Sequence, residues 1–403
     1  MMKIGLIRER KTPPDQRVAL SPEQCALVKE KFPVELVIEP ALIRSFQDDE
    51  YRAAGIQLTD RLEDCDLLLG IKEVPVDALI PGKTYCFFSH TIKKQAYNRN
   101  LLQAVVQKGI HLIDYEVITD DQGRRLIAFG RFAGMVGAHN GVMTWGMRTG
   151  AFLLPRMKSF KCYADAVAHY KTVHWPALKT VLTGTGRVSS GAAEVLLDMG
   201  IRRVSPRDFL NESFDHPVFT QLCSEDYVAR PDGSAFSKQD FYQDPAAFVS
   251  AFEPFTKVAD LMINGIFWDK RSPAFFTRED MQHPDFRIRV IADVTCDIAP
   301  DSSIPATLRA STIADPVFGY DPFTGQETTP FRDGVIDMMT IDNLPSELPR
   351  DASEAFGEKF IRFVLPEFFV NESLMLERAT VAKNGCLGKH FQYLKGYLEG
   401  QQG

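Results

Sequence analysis

The chain has no excess of positive charge: 46 Lys and Arg stand against 53 Asp and Glu, for a net charge of −7. Without a basic field to draw in a phosphodiester backbone, nucleic acid is not an expected partner. There is no apolar run long enough to span a bilayer, and residues 1–11 read as a short strand followed by charges rather than as the apolar stretch of a signal peptide. No membrane association is expected, and the cytoplasm is the expected compartment. There is no Cys-x-x-Cys pair either; the seven cysteines, at 25, 65, 86, 162, 223, 296 and 386, are odd in number and scattered. That argues against a metal site or a disulfide framework and reads as buried thiols. Internal repeats and low-complexity tracts are also missing. What remains is a globular composition, 45% apolar and 25% charged, over 403 residues. This is too long for one ordinary core, so two domains are expected.

The informative stretch lies near the midpoint. Residues 180–183 read as a short buried strand and 189–199 as an amphipathic helix closed by Gly200, with Gly184-Thr185-Gly186-Arg187-Val188-Ser189 between them. Gly184 permits a tight turn, and Gly186 lets backbone approach a pyrophosphate at the positive end of the helix. Ser189 is small enough to replace the usual third glycine. Glycine pairs commonly just make turns, but a strand before this one and a helix and strand (202–204) after it favour a dinucleotide fold. Further buried strands at 258–264 and 289–295 end in Asn264 and Asp293, both candidate cofactor contacts. An NAD-specific domain places an acid at the end of its second strand, about twenty residues past the first glycine. Here that place holds Ser205 and Pro206, followed by Arg207, whose fork suits a phosphate. NADPH is therefore the expected cofactor, with NADH the alternative should Asp208 take the ribose position.

Residues 1–130 alternate strands (3–7, 34–38, 67–72, 85–88, 111–115) with helices (from Pro22, 48–54, 94–108), the pattern of a parallel sheet. The fold class expected is α/β: two Rossmann-like doubly wound domains with a cleft between them, residues 1–145 plus 335–403 for substrate and 146–334 for the dinucleotide. A small-residue helix at 133–152 would connect them, and helices at 353–364 and 374–379 would fold back on the first. Residues 214–244 read as a polar insertion with little core, and 318–333 as loop. Lys72, His90 and Glu116 fall at or just after successive strand ends, the edge where open α/β sheets bind ligands. A Lys at a strand end is most often solvated, and a His after Phe-Phe-Ser can simply cap a backbone group.

Several stretches together resemble a known family: 83–93 through Phe88-Ser89-His90, 112–116, the fingerprint 183–192, Ile263-Asn264-Gly265-Ile266-Phe267-Trp268, Ile341-Asp342-Asn343-Leu344-Pro345 and Ala382-Lys383-Asn384-Gly385. They are similar to the lysine–2-oxoglutarate reductase part of aminoadipic semialdehyde synthase and, more distantly, to fungal saccharopine dehydrogenase and alanine dehydrogenase. The resemblance implies reduction by NADPH or NADH, without a metal, of the imine formed from lysine and 2-oxoglutarate, giving saccharopine. It makes Lys72 and His90 the acid/base pair, Arg17 and Arg125 the ligands of substrate carboxylates, and Glu116 the group that tunes or orients them. The fingerprint residues Gly184, Thr185, Gly186, Val188 and Ser189 would hold the dinucleotide, with Arg207, Asn264 and Asp293.

There are departures. Glu73 follows Lys72 as in the fungal enzyme, where closer reductase relatives carry a basic residue. Val188 stands where the fungal enzyme has a cysteine, so a redox disulfide does not transfer. The saccharopine-oxidising domain of the bifunctional enzyme has no counterpart here, so a reductase of this kind is expected either to work alone or to hand saccharopine to a separate oxidising enzyme. The rival expectations are another amino-acid dehydrogenase on this scaffold, such as alanine dehydrogenase, and a nucleotide-binding regulator that has lost the chemistry.

Overall fold

The computed structural model describes residues 1–13 and 15–400, in two compact units: Met1–Phe129 together with the residues from Pro349 on, and Gly130–Leu348. Each is built on its own eight-stranded, mostly parallel sheet, the architecture of two Rossmann-like domains. The junctions taken from the sequence, at 145/146 and 334/335, both fall inside the second unit; the crossings lie at Phe129/Gly130 and Leu348/Pro349.

The first unit runs through β1 (Met2–Leu6), α1 (Pro22–Lys31), β2 (Val34–Ile38), α2 (Asp48–Ala53), β3 (Gln57–Leu58), β4 (Leu67–Leu69), β5 (Thr84–Phe87), α3 (Arg99–Gln107) and β6 (His111–Asp114). α1 begins at a capping box: the Gln24 amide donates to Ser21 Oγ at 3.3 Å, the Ser21 amide donates back to Gln24 Oε1 at 3.0 Å, and Pro22 opens the helix. β4 is three leucines, none more than 1% exposed. A central parallel strand covered on both faces has no polar side, and each such leucine contributes about 1.5–3 kcal/mol.

The second unit opens with α4 (Gly130–Thr149) and α5 (Tyr163–Tyr170). It continues through β7 (Lys179–Thr183), α6 (Arg187–Asp198), β8 (Arg202–Arg203), α7 (Pro206–Asn211), β9 (Val218–Leu222) and the small antiparallel ribbon of β10 (Val228–Ala229) and β11 (Val249–Ser250). The strands β12 (Leu261–Asn264), β13 (Val290–Asp293), β14 (Val317–Asp321), β15 (Gln326–Thr328) and β16 (Ile336–Met339) complete it, and the sheet order is β15-β14-β16-β13-β12-β7-β9-β8. α4 and α6 touch backbone to backbone. A Cβ on Gly134 would lie 1.7 Å from the Val188 carbonyl oxygen, and one on Gly191 would lie 2.0 Å from that of Arg131.

Two stretches differ from the sequence reading. Residues 214–244 are not a coreless insertion: β9 pairs directly with β7, and Val218, Phe219 and Leu222 are fully buried. Tyr227, Phe241 and Phe248 then join an aromatic cluster with Phe252 and Phe275. Polar residues between these apolar positions mask the pattern. Residues 318–333 are not plain loop either, because β14 and β15 form a hairpin whose turn contains Gly325 at φ +71°.

The chain returns to the first unit as the helix Pro349–Lys359, a π-helical turn Phe360–Val364, the helix Leu374–Ala379, β17 (Thr380–Lys383) and β18 (Cys386–Leu387). β17 adds antiparallel to β6, giving the order β18-β17-β6-β5-β4-β1-β2-β3. The segment is tied down by Val18 N donating to Ser353 Oγ at 2.9 Å and by Phe356 stacked on Phe129 with centroids 5.6 Å apart. Asn384 and Gly385, at φ +51° and +77°, make the two-residue turn between β17 and β18, a pairing that suits the twist of a hairpin. Among the described residues, no helix is long and apolar enough to cross a membrane.

The close helix crossing is testable. Gly191→Val is expected to force α4 and α6 apart and to lower the unfolding free energy by about 1–3 kcal/mol or more, read as a lower urea midpoint; an unchanged midpoint would show that the crossing tolerates a side chain.

Candidate active site

In the first sheet the chain leaves β1 toward one side and β4 toward the other, so the carboxyl ends of these two strands flank the topological switch point where ligands bind in such sheets. Lys72 follows β4, His90 follows β5 and Glu116 follows β6, while Glu9, Lys11, Asp15 and Arg17 lie on the segment after β1. One buried side chain aligns two of these loops. Asp114, the last residue of β6 and 0% exposed, accepts the Ser89 amide (3.1 Å), the Ser89 hydroxyl (2.5 Å) and the Glu116 amide (2.8 Å). His90 is thereby held at φ +53°, a left-handed conformation uncommon outside glycine.

His90 Nδ1 lies 3.4 Å from Glu116 Oε2 and Nε2 lies 3.8 Å from Glu73 Oε1. Glu116 also faces Lys93 Nζ at 3.1 Å and Arg125 Nη1 at 3.7 Å, and Glu73 accepts from Lys11 Nζ at 2.9 Å. Burial pushes the Glu116 carboxyl up, but the His90 hydrogen bond and the Lys93 and Arg125 cations outweigh it and hold it at about 2. Lys72 is part-buried, and burial followed by the charge of Arg17 holds its ammonium below the ordinary lysine value. Behind it, Glu9 accepts the amides of Ile71 at 2.6 Å and Lys72 at 2.9 Å. Burial and the neighbouring Asp15 push Glu9 up to about 8.

Arg17 is placed differently from Arg125. It is 2% exposed, with Nε and Nη2 at 2.9 and 2.6 Å from Asp15 and its guanidinium 4.3 Å from the centre of Phe129. Against its burial, the Arg17 pairing holds Asp15 well below the carboxylate range. Arg17 thus acts on Lys72 through charge from beneath, whereas Arg125, with 35% of its side chain exposed, stands beside Glu116 over the Phe88 ring.

In the second unit a cavity of about 510 Å³ lies at the carboxyl ends of β7, β9 and β12, lined by Gly184, Thr185, Gly186, Cys223, Ser224 and Gly265 among others. Gly184 takes φ +93°, which a side chain would strain, and a Cβ on Gly186 would meet no protein atom within 4 Å. These residues fit a dinucleotide whose pyrophosphate sits at the start of α6. Other expected contacts are placed elsewhere. Ser189 is fully buried, its hydroxyl donating to the carbonyls of Thr183 (2.9 Å) and Gly265 (3.1 Å). Val188 backs the same junction, with Cγ1 3.1 Å from where a Gly265 Cβ would stand. Asn264 and Asp293 are also 0% exposed and bonded to each other at 3.0 Å; Asn264 accepts from Thr183 Oγ1 and Asp293 from Thr295 and Thr307. They stitch the strand ends together instead of lining the cavity. Arg207 is exposed on α7 behind β8, the edge strand, and does not line the cavity; β9 and not β8 lies beside β7. The sequence reading took consecutive strands as neighbours, and the chain here skips one.

Residues 5–136 match the family Alanine dehydrogenase/PNT, N-terminal domain. The whole chain is similar to the mitochondrial alpha-aminoadipic semialdehyde synthase of Mus musculus, 30% identical over 99% of this chain and 48% of that protein. It is also similar to the saccharopine dehydrogenase (NAD(+), L-lysine-forming) of Emericella nidulans, 28% identical over 90% of this chain and 91% of that one. The chain spans about half the length of the semialdehyde synthases it matches. A solved L-alanine dehydrogenase superposes over 98% of the chain with a TM-score of 0.65 at 17% identity, covering 100% of that structure, which shows the fold. The family resemblance read from the motifs is borne out.

All five residues singled out in the first unit, Arg17, Lys72, His90, Glu116 and Arg125, lie within residues 5–136, the stretch that matches that family. The neighbours that escaped the sequence reading as site residues include Glu9 and Lys11, hidden in the charge run Arg8-Glu9-Arg10-Lys11, Asp15, whose only sign was its place two residues before Arg17, and Lys93. The arrangement offers an amine with a lowered proton affinity, an imidazole between two carboxylates, and several cations able to meet an anionic substrate.

The Glu116 carboxyl titrates in the folded protein near 2, below its usual value near 4.5, so its contribution to stability is present above pH 4.5 and lost as pH falls toward 2. Glu116→Gln is expected to cost up to about 3 kcal/mol at pH 7, the gap to wild type closing at pH 2–3. Equal unfolding free energies in urea at neutral pH would refute the ion cluster.

Proposed function

We propose that the chain is a nicotinamide-dependent reductase that joins L-lysine to 2-oxoglutarate and yields saccharopine, reversibly. The observation that carries this reading is the cluster of Lys72, His90 and Glu116 at three adjacent strand ends, in a chain matched nearly end to end by lysine-forming saccharopine dehydrogenases. The reaction condenses an amine with a ketone, loses water from the carbinolamine, and delivers hydride to the imine carbon; lysine, 2-oxoglutarate, reduced nicotinamide and a proton give saccharopine, water and oxidised nicotinamide. Lys72, neutral more readily than an ordinary lysine, takes the proton shed by the attacking nitrogen. His90, oriented by Glu116 and Glu73, gives a proton to the departing hydroxyl and takes it back in the reverse direction. Arg125 and the exposed Lys93 and Lys11 offer charge to the substrate carboxylates, Arg125 with a fork suited to them. A nicotinamide dinucleotide held through its pyrophosphate at Gly184–Gly186 would supply the hydride, and the protein supplies position. In this reading the protein is cytoplasmic, consistent with its odd, scattered cysteines, and hands saccharopine to a separate oxidising enzyme.

The purified protein is expected to oxidise reduced nicotinamide only with both an amine and a 2-oxo acid present, lysine with 2-oxoglutarate being the best of a panel including ornithine, glutamate, alanine and ammonia. Faster turnover with pyruvate and ammonia would favour the alanine dehydrogenase reading that the fold match also allows. Lys72→Met and His90→Gln should each lower kcat about a hundredfold or more with cofactor affinity nearly unchanged. Near-normal turnover in both would return these residues to a structural role.

A further inference from the structure

His90 and Lys93 stand on one loop, and that loop has little of its own to hold it. Residues 93–97 are all exposed. His90 and Lys94 take φ +53° and +55°, on either side of the short helical turn Thr91–Lys93. Non-glycine residues persist in the left-handed region only where their surroundings over-determine them. The Ser89 hydroxyl, bonded to Asp114 and to Thr91, fixes the start of the loop. Beyond it the Lys93 amide reaches His90 O at 3.3 Å and the Lys94 amide reaches Thr91 O at 3.1 Å.

The far half of the loop is held from outside, by the turn Lys389–Leu394 and the short helix Lys395–Leu398. That segment is rooted in the core. Leu394 is 0%, Phe391 4% and Tyr397 5% exposed, in one cluster with Leu101, Leu102 and Val105 of α3, and Ile92 packs against the same cluster. Gln103 Nε2 of α3 also donates to Leu398 O at 2.8 Å. From this base two tyrosines reach the loop. The Tyr397 hydroxyl donates to Gln95 O at 2.5 Å, the carbonyl that also accepts the Asn98 amide at 3.0 Å just before α3. Its ring lies 5.2 Å from the Arg99 guanidinium. The Tyr393 hydroxyl stands 3.5 Å from Ile92 O, and its ring lies under the Lys94 ammonium at 5.5 Å.

These contacts fall on the backbone that carries the two groups facing Glu116: His90 Nδ1 at 3.4 Å and Lys93 Nζ at 3.1 Å. Glu116 itself is fixed from the other side, through its amide on Asp114. Releasing the loop would move His90 and Lys93 against a stationary carboxylate, and a displacement of about 1 Å in an acid/base group is enough to slow a reaction severely. We propose that the segment Lys389–Leu398 is a latch on the loop that carries His90 and Lys93, with Tyr397 and Tyr393 as positioning residues. The consequence for turnover rests on the reading of Lys72, His90 and Glu116 as an acid/base cluster, whereas the latch itself does not.

Two variants of the full chain test it. Tyr397→Phe keeps the ring in the core and beside Arg99 and removes only the donor to Gln95 O; Tyr393→Leu removes the contacts to Ile92 and Lys94. In each, the amides of Lys94 and Asn98 should exchange hydrogen about fivefold faster, the scale of one lost hydrogen bond, while the protection of β5 and β6 and the urea midpoint stay close to wild type. With lysine and 2-oxoglutarate, kcat should fall about fivefold or more. The KM for 2-oxoglutarate should rise, and the KM for reduced nicotinamide, whose fingerprint belongs to the second unit, should not. A residue that only stabilises the fold would instead lower the urea midpoint and leave kcat per folded molecule as it is, which would overturn the positioning role, as would faster exchange with wild-type kinetics. Unchanged exchange in both variants would overturn the latch. A wild-type chain without lysine-dependent turnover would refute the proposed reaction, and the exchange rates would still decide the latch, faster exchange upholding it.

Discussion

A parallel sheet covered on both faces has room for charge only at its ends, and this constraint places the chemistry of both domains. In the first domain the leucines of β4 leave no polar position until Lys72, and β5 and β6 likewise release their polar residues only at His90 and Glu116. The exception proves functional to the geometry: Asp114, fully buried at the end of β6, holds the β5 and β6 loops in register. Its burial raises its proton affinity, and bonds from Ser89 and the Glu116 amide offset that cost.

The second domain meets the same constraint with another device. Where the first uses one carboxylate under two loops, the second uses a closed chain of neutral and charged groups, Thr183 to Asn264 to Asp293 to Thr307, together with the Ser189 hydroxyl bridging two carbonyls. A glycine at 189 would pack but leave the Thr183 and Gly265 carbonyls without that donor. The departure from a three-glycine fingerprint thus has a local purpose, which is to lock β7, α6 and β12 at the place where Gly184 and Gly186 line the cavity.

The amino-acid pattern made much of this legible, and its failures have identifiable causes. Strand ends carrying Lys72, His90 and Glu116 could be found because each comes just after a mostly apolar strand. Arg17 could not be told from a surface arginine, since its burial comes from Asp15 and from Phe129, whose ring lies against the returning Phe356. Asn264 and Asp293 were placed at the right strand ends but not on the right side of them: a polar residue after a buried strand serves a ligand or the neighbouring strand equally well, and here their partners are each other. Arg207 failed for a topological reason. Residues 202–222 hold two short strands, of which the more polar, Arg202–Arg203, took the edge while Val218–Leu222 took the interior beside β7. The apolar content of β9 was the available signal, diluted by the polar residues on either side.

Two of the shifted carboxyls of the first domain, Glu116 and Glu9, act on stability with opposite signs. Glu116, held near 2, favours the folded state once pH exceeds its usual value of about 4.5. Glu9, pushed to about 8, keeps its proton in the fold where an unfolded chain releases it, so its contribution is full below pH 4.5 and is lost as pH rises through 8. One group lies on the open side of the site among Lys93, Arg125 and His90; the other lies beneath, bonded to the backbone that carries Lys72.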